Sequence, residues 1–140
     1  MDRAFLILAA TLAFIGVALG AFGSHALRSK LPPERIATFE TGVRYQLWHA
    51  LALFAVAFVR SAGPLVRGAS FASTPLVLGR NANVFGAIAG WLFVAGIALF
   101  SGSLYALAIT GASRWGAVTP LGGLCFLLGW LAMVAAALTI

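Results

Sequence analysis

Residues 5–23 read FLILAATLAFIGVALGAFG, and this stretch without a charged side chain decides the fold. At a rise of 1.5 Å per residue, a helix of this length covers roughly 28 Å, close to the ~30 Å hydrocarbon core of a bilayer. The run is also longer than the apolar core of a cleavable signal peptide. It predicts a retained transmembrane helix over about residues 4–27.

Three more apolar runs predict helices over about residues 33–59, 84–109 and 120–140, with a loop over residues 60–83. The 140-residue chain is 62% hydrophobic and 9% charged, whereas soluble domains carry roughly 25% charged residues. A soluble fold of this size could not bury so much apolar surface. We therefore expect an all-α membrane protein, a single domain over residues 1–140 with four transmembrane helices in a compact bundle.

The second predicted helix has two different halves. Between Glu34 and Arg44 the pattern is amphipathic, with Ile36 and Val43 on one side, which predicts an interfacial segment before the membrane span. No proline or glycine pair interrupts the pattern after Pro33, so we expect one continuous helix across Arg44.

Nine basic residues and three acidic ones give a net charge of +6. The basic residues lie between the apolar runs, where they meet lipid phosphates, and no cluster is long enough for a nucleic-acid footprint. Four fall on one predicted side and five on the other, which leaves the orientation open. An even number of spans places both termini on the same side of the membrane.

Small residues recur at helical spacing in the predicted spans. Helices in lipid associate through close backbone approach at such positions, because no hydrophobic force drives them together. We therefore expect packing faces in the first and third spans, at Gly16, Gly20, Gly23, Gly86 and Gly90. One of these faces could instead mediate oligomerisation.

A set of polar side chains lies at membrane depth, where such groups are functional candidates. At 100° per residue, Tyr45 and His49 share one helical face, with Gln46 at its edge, and this face should point into the bundle. The candidate polar site is His25, Tyr45, Gln46, His49, Ser101, Ser103 and Tyr105.

Four interpretations of this set are open. The polar groups could hydrogen-bond one another and fix helix register, since polar groups in lipid need partners whatever their chemistry. His25 and His49 could instead share a metal, ligate a haem, or serve a proton relay or transport path. In the first case we expect His49 to be neutral, with a polar partner near His25 or among Ser101, Ser103 and Tyr105.

Enzymatic signatures are absent from the sequence. The acids are Asp2, Glu34 and Glu40, so no Ser-His-Asp set can form within the membrane, and there is no P-loop or HExxH motif. The single cysteine, Cys125, excludes an intrachain disulfide and a cysteine-based metal site. We predict neither catalysis nor a bound cofactor.

Four segments, in the same order along the chain, resemble motifs of a family of small bacterial membrane proteins. This family is domain of unknown function family 423, of the YgdD/YwdK type, and transmembrane protein 256 is its eukaryotic relative. Residues 19–25 read LGAFGSH and resemble its LGAFGAH segment, with Ser24 in place of alanine. Residues 41–49 (TGVRYQLWH), 99–105 (LFSGSLY) and 119–130 (TPLGGLCFLLGW) are similar to its other motifs. The resemblance implies four membrane helices and no activity.

These observations lead to one expected function and two rivals. We expect an integral membrane protein, structural or accessory in a larger membrane complex, located in the bacterial inner membrane. Its expected partners are the lipid bilayer and either further copies of the chain or a larger membrane complex. The first rival is a small transporter, channel or lipid-binding protein with a polar cavity near His25 and His49. The second is a haem- or metal-binding membrane protein.

Overall fold

The computed structural model describes residues 2–67 and 78–139, and for residues 62–67 and 78–80 it describes the backbone alone. The helices are α1 (Arg3–Phe22), α2 (Pro33–Arg67), α3 (Leu78–Gly96), α4 (Gly102–Thr110) and α5 (Thr119–Ala137). A π-helical turn, Gly23–Leu27, continues α1, and a second one, Ile97–Ser101, joins α3 to α4. A short 3₁₀ helix, Ser113–Ala117, precedes α5.

Four segments are long and apolar enough to cross a membrane: Arg3–Leu27, Pro33–Ser61, Asn81–Thr110 and Ser113–Ala137. The described residues contain no β-strand. The protein is therefore an all-α, four-span membrane protein, as the apolar runs predict.

The helix α2 is unbroken over 35 residues, which confirms the predicted continuity across Arg44. At roughly 52 Å it is longer than the hydrocarbon core, so part of it extends beyond the bilayer. Its first half is amphipathic, with Glu34 and Glu40 exposed. The apolar side of this half, including Ile36 and Val43, is buried against protein, so both this stripe and the polar face of Gln46 and His49 point inward.

The second span is central to the bundle. It packs against α1 on one side and against α3, the second π turn and α4 on the other, whereas α5 packs mainly on α3 and that π turn. Two apolar clusters lie along α2. One contains Ile36, Phe39 and Val43, and the other contains Leu53 and Val56. The polar residues at positions 45–49 lie between these clusters.

The glycines of α1 form a surface against α2. A Cβ at Gly16 would lie 2.7 Å from Leu47, one at Gly20 would lie 3.4 Å from Val43, and one at Gly23 would lie 3.0 Å from Phe39. As the glycine positions advance along the first span, the residues they contact move back along α2 from Leu47 to Phe39. The two helices therefore run antiparallel in close contact. In the third span, Gly86 packs on Arg60 and Gly90 on the ring of Phe5.

The predicted helix ends differ from the structure around the long loop. The sequence predicts a loop over residues 60–83, but α2 continues to Arg67 and α3 already begins at Leu78. An apolar run marks where a chain leaves the hydrocarbon, whereas backbone hydrogen bonding can continue a helix into the headgroup region. The remainder of that predicted loop, residues 68–77, lies outside the described residues.

Candidate functional site

Gln46 joins three of the four spans. Its side chain is 3% exposed, and its amide Nε2 donates to the carbonyl of Leu12 over 2.9 Å. Its Oε1 accepts from the Tyr105 hydroxyl, also over 2.9 Å. The amide packs beside Gly16 of α1, where a Cβ would lie 3.5 Å from Nε2, an ordinary van der Waals distance. Both ends of the amide are therefore paired within the protein.

Tyr105 reaches Gln46 across a second glycine contact. A Cβ at Gly42 would lie 2.8 Å from Cε1 of the Tyr105 ring, so this approach of α4 to α2 requires glycine. The same ring packs on Phe39 at 4.8 Å between centroids. Gly42 is thus a point of close contact between α2 and α4.

His49 is buried among aromatic rings. Its imidazole lies parallel to the Phe126 ring, with 3.5 Å between centroids, and Nδ1 is 2.8 Å from the Tyr45 carbonyl. The Trp130 indole N–H donates to Nε2 over 3.3 Å. Because an indole can only donate, Nε2 must be an unprotonated acceptor, and Nδ1 then carries the proton. The geometry therefore fits a neutral imidazole with both nitrogens engaged.

Tyr45 contributes its backbone carbonyl and its ring to this environment. The ring packs on Phe100 at 4.6 Å and on Trp48 at 5.2 Å between centroids. Tyr45 thereby connects the His49 environment to the second π turn, which contains Phe100.

The two predicted serines have different surroundings. Ser103 donates to the Phe100 carbonyl over 2.9 Å, and its hydroxyl lies 2.8 Å from that of Thr119 at the start of α5. Ser101 is fully buried, and its hydroxyl has no hydrogen-bond partner among the described residues. Ser101 ends the second π turn, where the wider backbone turn changes the direction of the side chains that follow.

His25 is separate from the rest of the set. It lies exposed in the first π turn, and no hydrogen bond or ring contact to it is found among the described residues. The neighbours of the His49 ring are Tyr45, Phe93, Phe126 and Trp130, so the structure does not bring the two imidazoles together. The prediction that His49 pairs near His25 or with Ser101, Ser103 or Tyr105 is therefore wrong. Its side-chain partner is Trp130, which lies with Phe126 in the segment 119–130.

A second polar group that the sequence analysis missed is centred on Arg60. Its Nε donates to Asp2 over 2.6 Å, another guanidinium nitrogen donates to the Asn83 carbonyl, and the guanidinium lies 5.6 Å from the centroid of Phe5. This one side chain thus connects the ends of α1, α2 and α3. The Arg60 hydrogen bond holds the pKa of the Asp2 carboxyl below its ordinary value.

Metal-ligating side chains are dispersed. Among the described residues, no three His, Cys, Asp or Glu side chains are placed to hold a metal ion together. A haem or metal at His49 would also have to displace either Trp130 from Nε2 or the Tyr45 carbonyl from Nδ1.

Comparison with known proteins identifies relatives along nearly the whole chain. The family model described as "Protein of unknown function (DUF423)" matches residues 19–123. The UPF0382 membrane protein YwdK of Bacillus subtilis is 43% identical over 96% of this chain and 96% of its own length. The UPF0382 inner membrane protein YgdD of Escherichia coli K12 is 34% identical over 98% of this chain and 91% of its own. No solved structure matches. The chain belongs to the DUF423 family of membrane proteins of unknown function.

Proposed function

We propose that this chain is a non-enzymatic structural or accessory membrane protein, whose buried polar residues hold its helices in register rather than bind a ligand. One observation carries the proposal. Both ring nitrogens of His49 and both ends of the Gln46 amide are engaged by other groups of the protein.

The physical reason for such pairing lies in the surrounding lipid. Leaving an amide or imidazole unpaired in hydrocarbon costs roughly several kcal/mol of free energy. An interhelical hydrogen bond stabilises the bundle by only about 0.6 kcal/mol on average. Paired groups therefore disfavour every helix arrangement that would separate them. Gln46 acts in this way between the first three spans, and His49 between the second and the fourth.

A transporter, channel or lipid-binding protein with a cavity at the two histidines is the rival function. It would need His25 and His49 to line one space, with ring nitrogens free to meet a ligand. The exposure of His25 and the aromatic surroundings of His49 favour the structural role instead.

For the cellular setting, we propose the bacterial inner membrane, with both termini on the same side. The name of the Escherichia coli relative, an inner membrane protein, supports this location, and four spans support the arrangement of the termini. In a Cys125→Ser background, cysteines introduced one at a time at residues 3 and 139 should react from the same face of sealed vesicles. Reaction from opposite faces would contradict it.

The function can be tested on protein solubilised in mild detergent from its native membrane. We expect a native gel to show a complex much larger than the 14.5 kDa chain, with neither a Soret band nor stoichiometric metal in the purified material. A monomer with a tightly bound haem, metal or small solute would contradict the proposal.

A further inference from the structure

One end of the bundle carries a surplus of cationic side chains. The α1–α2 turn, the start of α2 and the α4–α5 loop together hold five basic residues and two acidic ones: Arg28, Lys30, Arg35, Arg44, Arg114, Glu34 and Glu40. Arg35 is half-buried and the others are exposed. Among the described side chains the ion pair within 4.0 Å is Asp2 with Arg60, so none of these five cations is in direct contact with a carboxylate.

The structure positions two of these arginines at the same loop. Gly111 ends α4 with a left-handed φ of 69°. It also has no side chain, so the Arg35 guanidinium can pack directly on its Cα, where a Cβ would collide with it. Three residues further on, the Arg114 guanidinium lies 5.8 Å from the centroid of the Trp115 ring. Both guanidinium groups therefore lie beside residues of the α4–α5 loop.

The location of this loop determines which anion it can meet. The loop connects two membrane spans, so its side chains lie at headgroup depth, where tryptophan is also enriched. Guanidinium groups are planar donors that match phosphate oxygens in pairs. Basic groups between transmembrane helices are a recurring means of binding anionic lipid headgroups.

We infer that Arg35 and Arg114 form a binding site for the phosphate of an anionic phospholipid, such as phosphatidylglycerol. The site lies apart from the buried residues around His49 and Gln46, and the inference does not depend on the structural role proposed for them. Arg28 and Lys30 in the adjacent turn add positive potential, which favours anionic lipid over zwitterionic lipid at this end.

The test uses native mass spectrometry of the full chain in detergent with an equimolar mixture of phosphatidylglycerol and phosphatidylcholine. We expect bound phosphatidylglycerol to exceed phosphatidylcholine by more than about tenfold. Each of the two arginines that contact the bound phosphate contributes about a fivefold preference, so R35Q/R114Q should lower the ratio by about one order of magnitude. The control R3Q, an exposed arginine at the opposite end, should leave the ratio within about twofold.

Two further arms make the result decisive. Inorganic phosphate added at millimolar concentration should not displace the lipid, and displacement would show a site for free phosphate instead. Should R35Q/R114Q fail to fold, the single variant R114Q, altered at an exposed side chain, should still lower the ratio about fivefold. A parent ratio near one, or an equal loss in R3Q, would overturn the inference.

Discussion

The Trp130 indole donates its N–H to Nε2 of His49 over 3.3 Å, which joins α5 to α2. Trp130 is 48% exposed on the outer surface of the bundle, whereas His49 is 5% exposed. The tryptophan therefore covers the imidazole from the lipid and pairs it at the same time. This arrangement serves helix packing, because it leaves no ring nitrogen of His49 for a ligand.

Replacement of His49 should destabilise the bundle. His49→Leu removes the bond to Trp130 and the stacking on Phe126, so we expect a loss of about 1–2 kcal/mol and a lower melting temperature in detergent. Trp91→Leu is the control, because Trp91 is 62% exposed, and it should cost less than about 0.5 kcal/mol. A His49→Leu protein as stable as the parent would contradict the structural role.

Gln46 and Tyr105 should behave as a coupled pair. Tyr105→Phe leaves Oε1 of Gln46 without its donor, and Gln46→Leu leaves the Tyr105 hydroxyl without its acceptor. Each change should cost about 1 kcal/mol, and the double variant should cost less than the sum by roughly 0.6–1.7 kcal/mol. Additive losses in a double-mutant cycle of detergent unfolding would show that the hydrogen bond contributes nothing.

Glycine should be required at position 122 and dispensable at position 102. A Cβ at Gly122 would collide with the backbone nitrogen of Phe100, so Gly122→Ala must separate α5 from the second π turn. We expect a loss of more than about 2 kcal/mol, or no folded protein. Gly102 has nothing within 4 Å of its Cβ position, and Gly102→Ala should raise stability by about 0.5 kcal/mol. Equal melting temperatures for the two variants would refute this packing.

The Asp2–Arg60 ion pair should make stability depend on pH in the acidic range. The folded-state pKa of Asp2 is lowered by its Arg60 hydrogen bond. Its contribution is therefore complete above the ordinary aspartate pKa, and it is lost as the pH falls below about 4 through the lower folded value. The Asp2 and Arg60 side chains remain 20% and 24% exposed, so solvent screens their charges and the loss of stability is small. In Asp2→Asn this acid-dependent loss should be absent, and an unchanged pH profile of unfolding would contradict the pairing.

The four spans follow from the sequence because hydrocarbon excludes charge over a fixed thickness. The small residues at positions 16, 20 and 23 likewise indicate a close-packing face on α1, although the sequence does not say which helix meets it. The continuity of α2 across Arg44 is a local property, decided by the absence of a helix-breaking residue.

The partners within the bundle could not be predicted in the same way. His49 meets Trp130 because the close approach of Gly122 and Gly129 to the third span fixes the position of α5. The two π turns change the direction of the side chains at Ser101 and His25, and no residue type in these segments predicts a π turn. In the sequence Arg60 does not differ from the other arginines of the predicted loop. Its pairing with Asp2 depends on how α1 and α2 align, which the sequence does not show.

The protonation state of His49 tests the central claim most directly. Nitrogen-15 NMR of the histidine-labelled protein in lipid, with His25→Gln used to assign the remaining imidazole, reports the proton on each ring nitrogen. We predict one neutral form at pH 7, with the proton on Nδ1 and an unprotonated Nε2 that accepts from Trp130. A charged ring, a proton on Nε2, or signals broadened by a metal would contradict the structural role of His49.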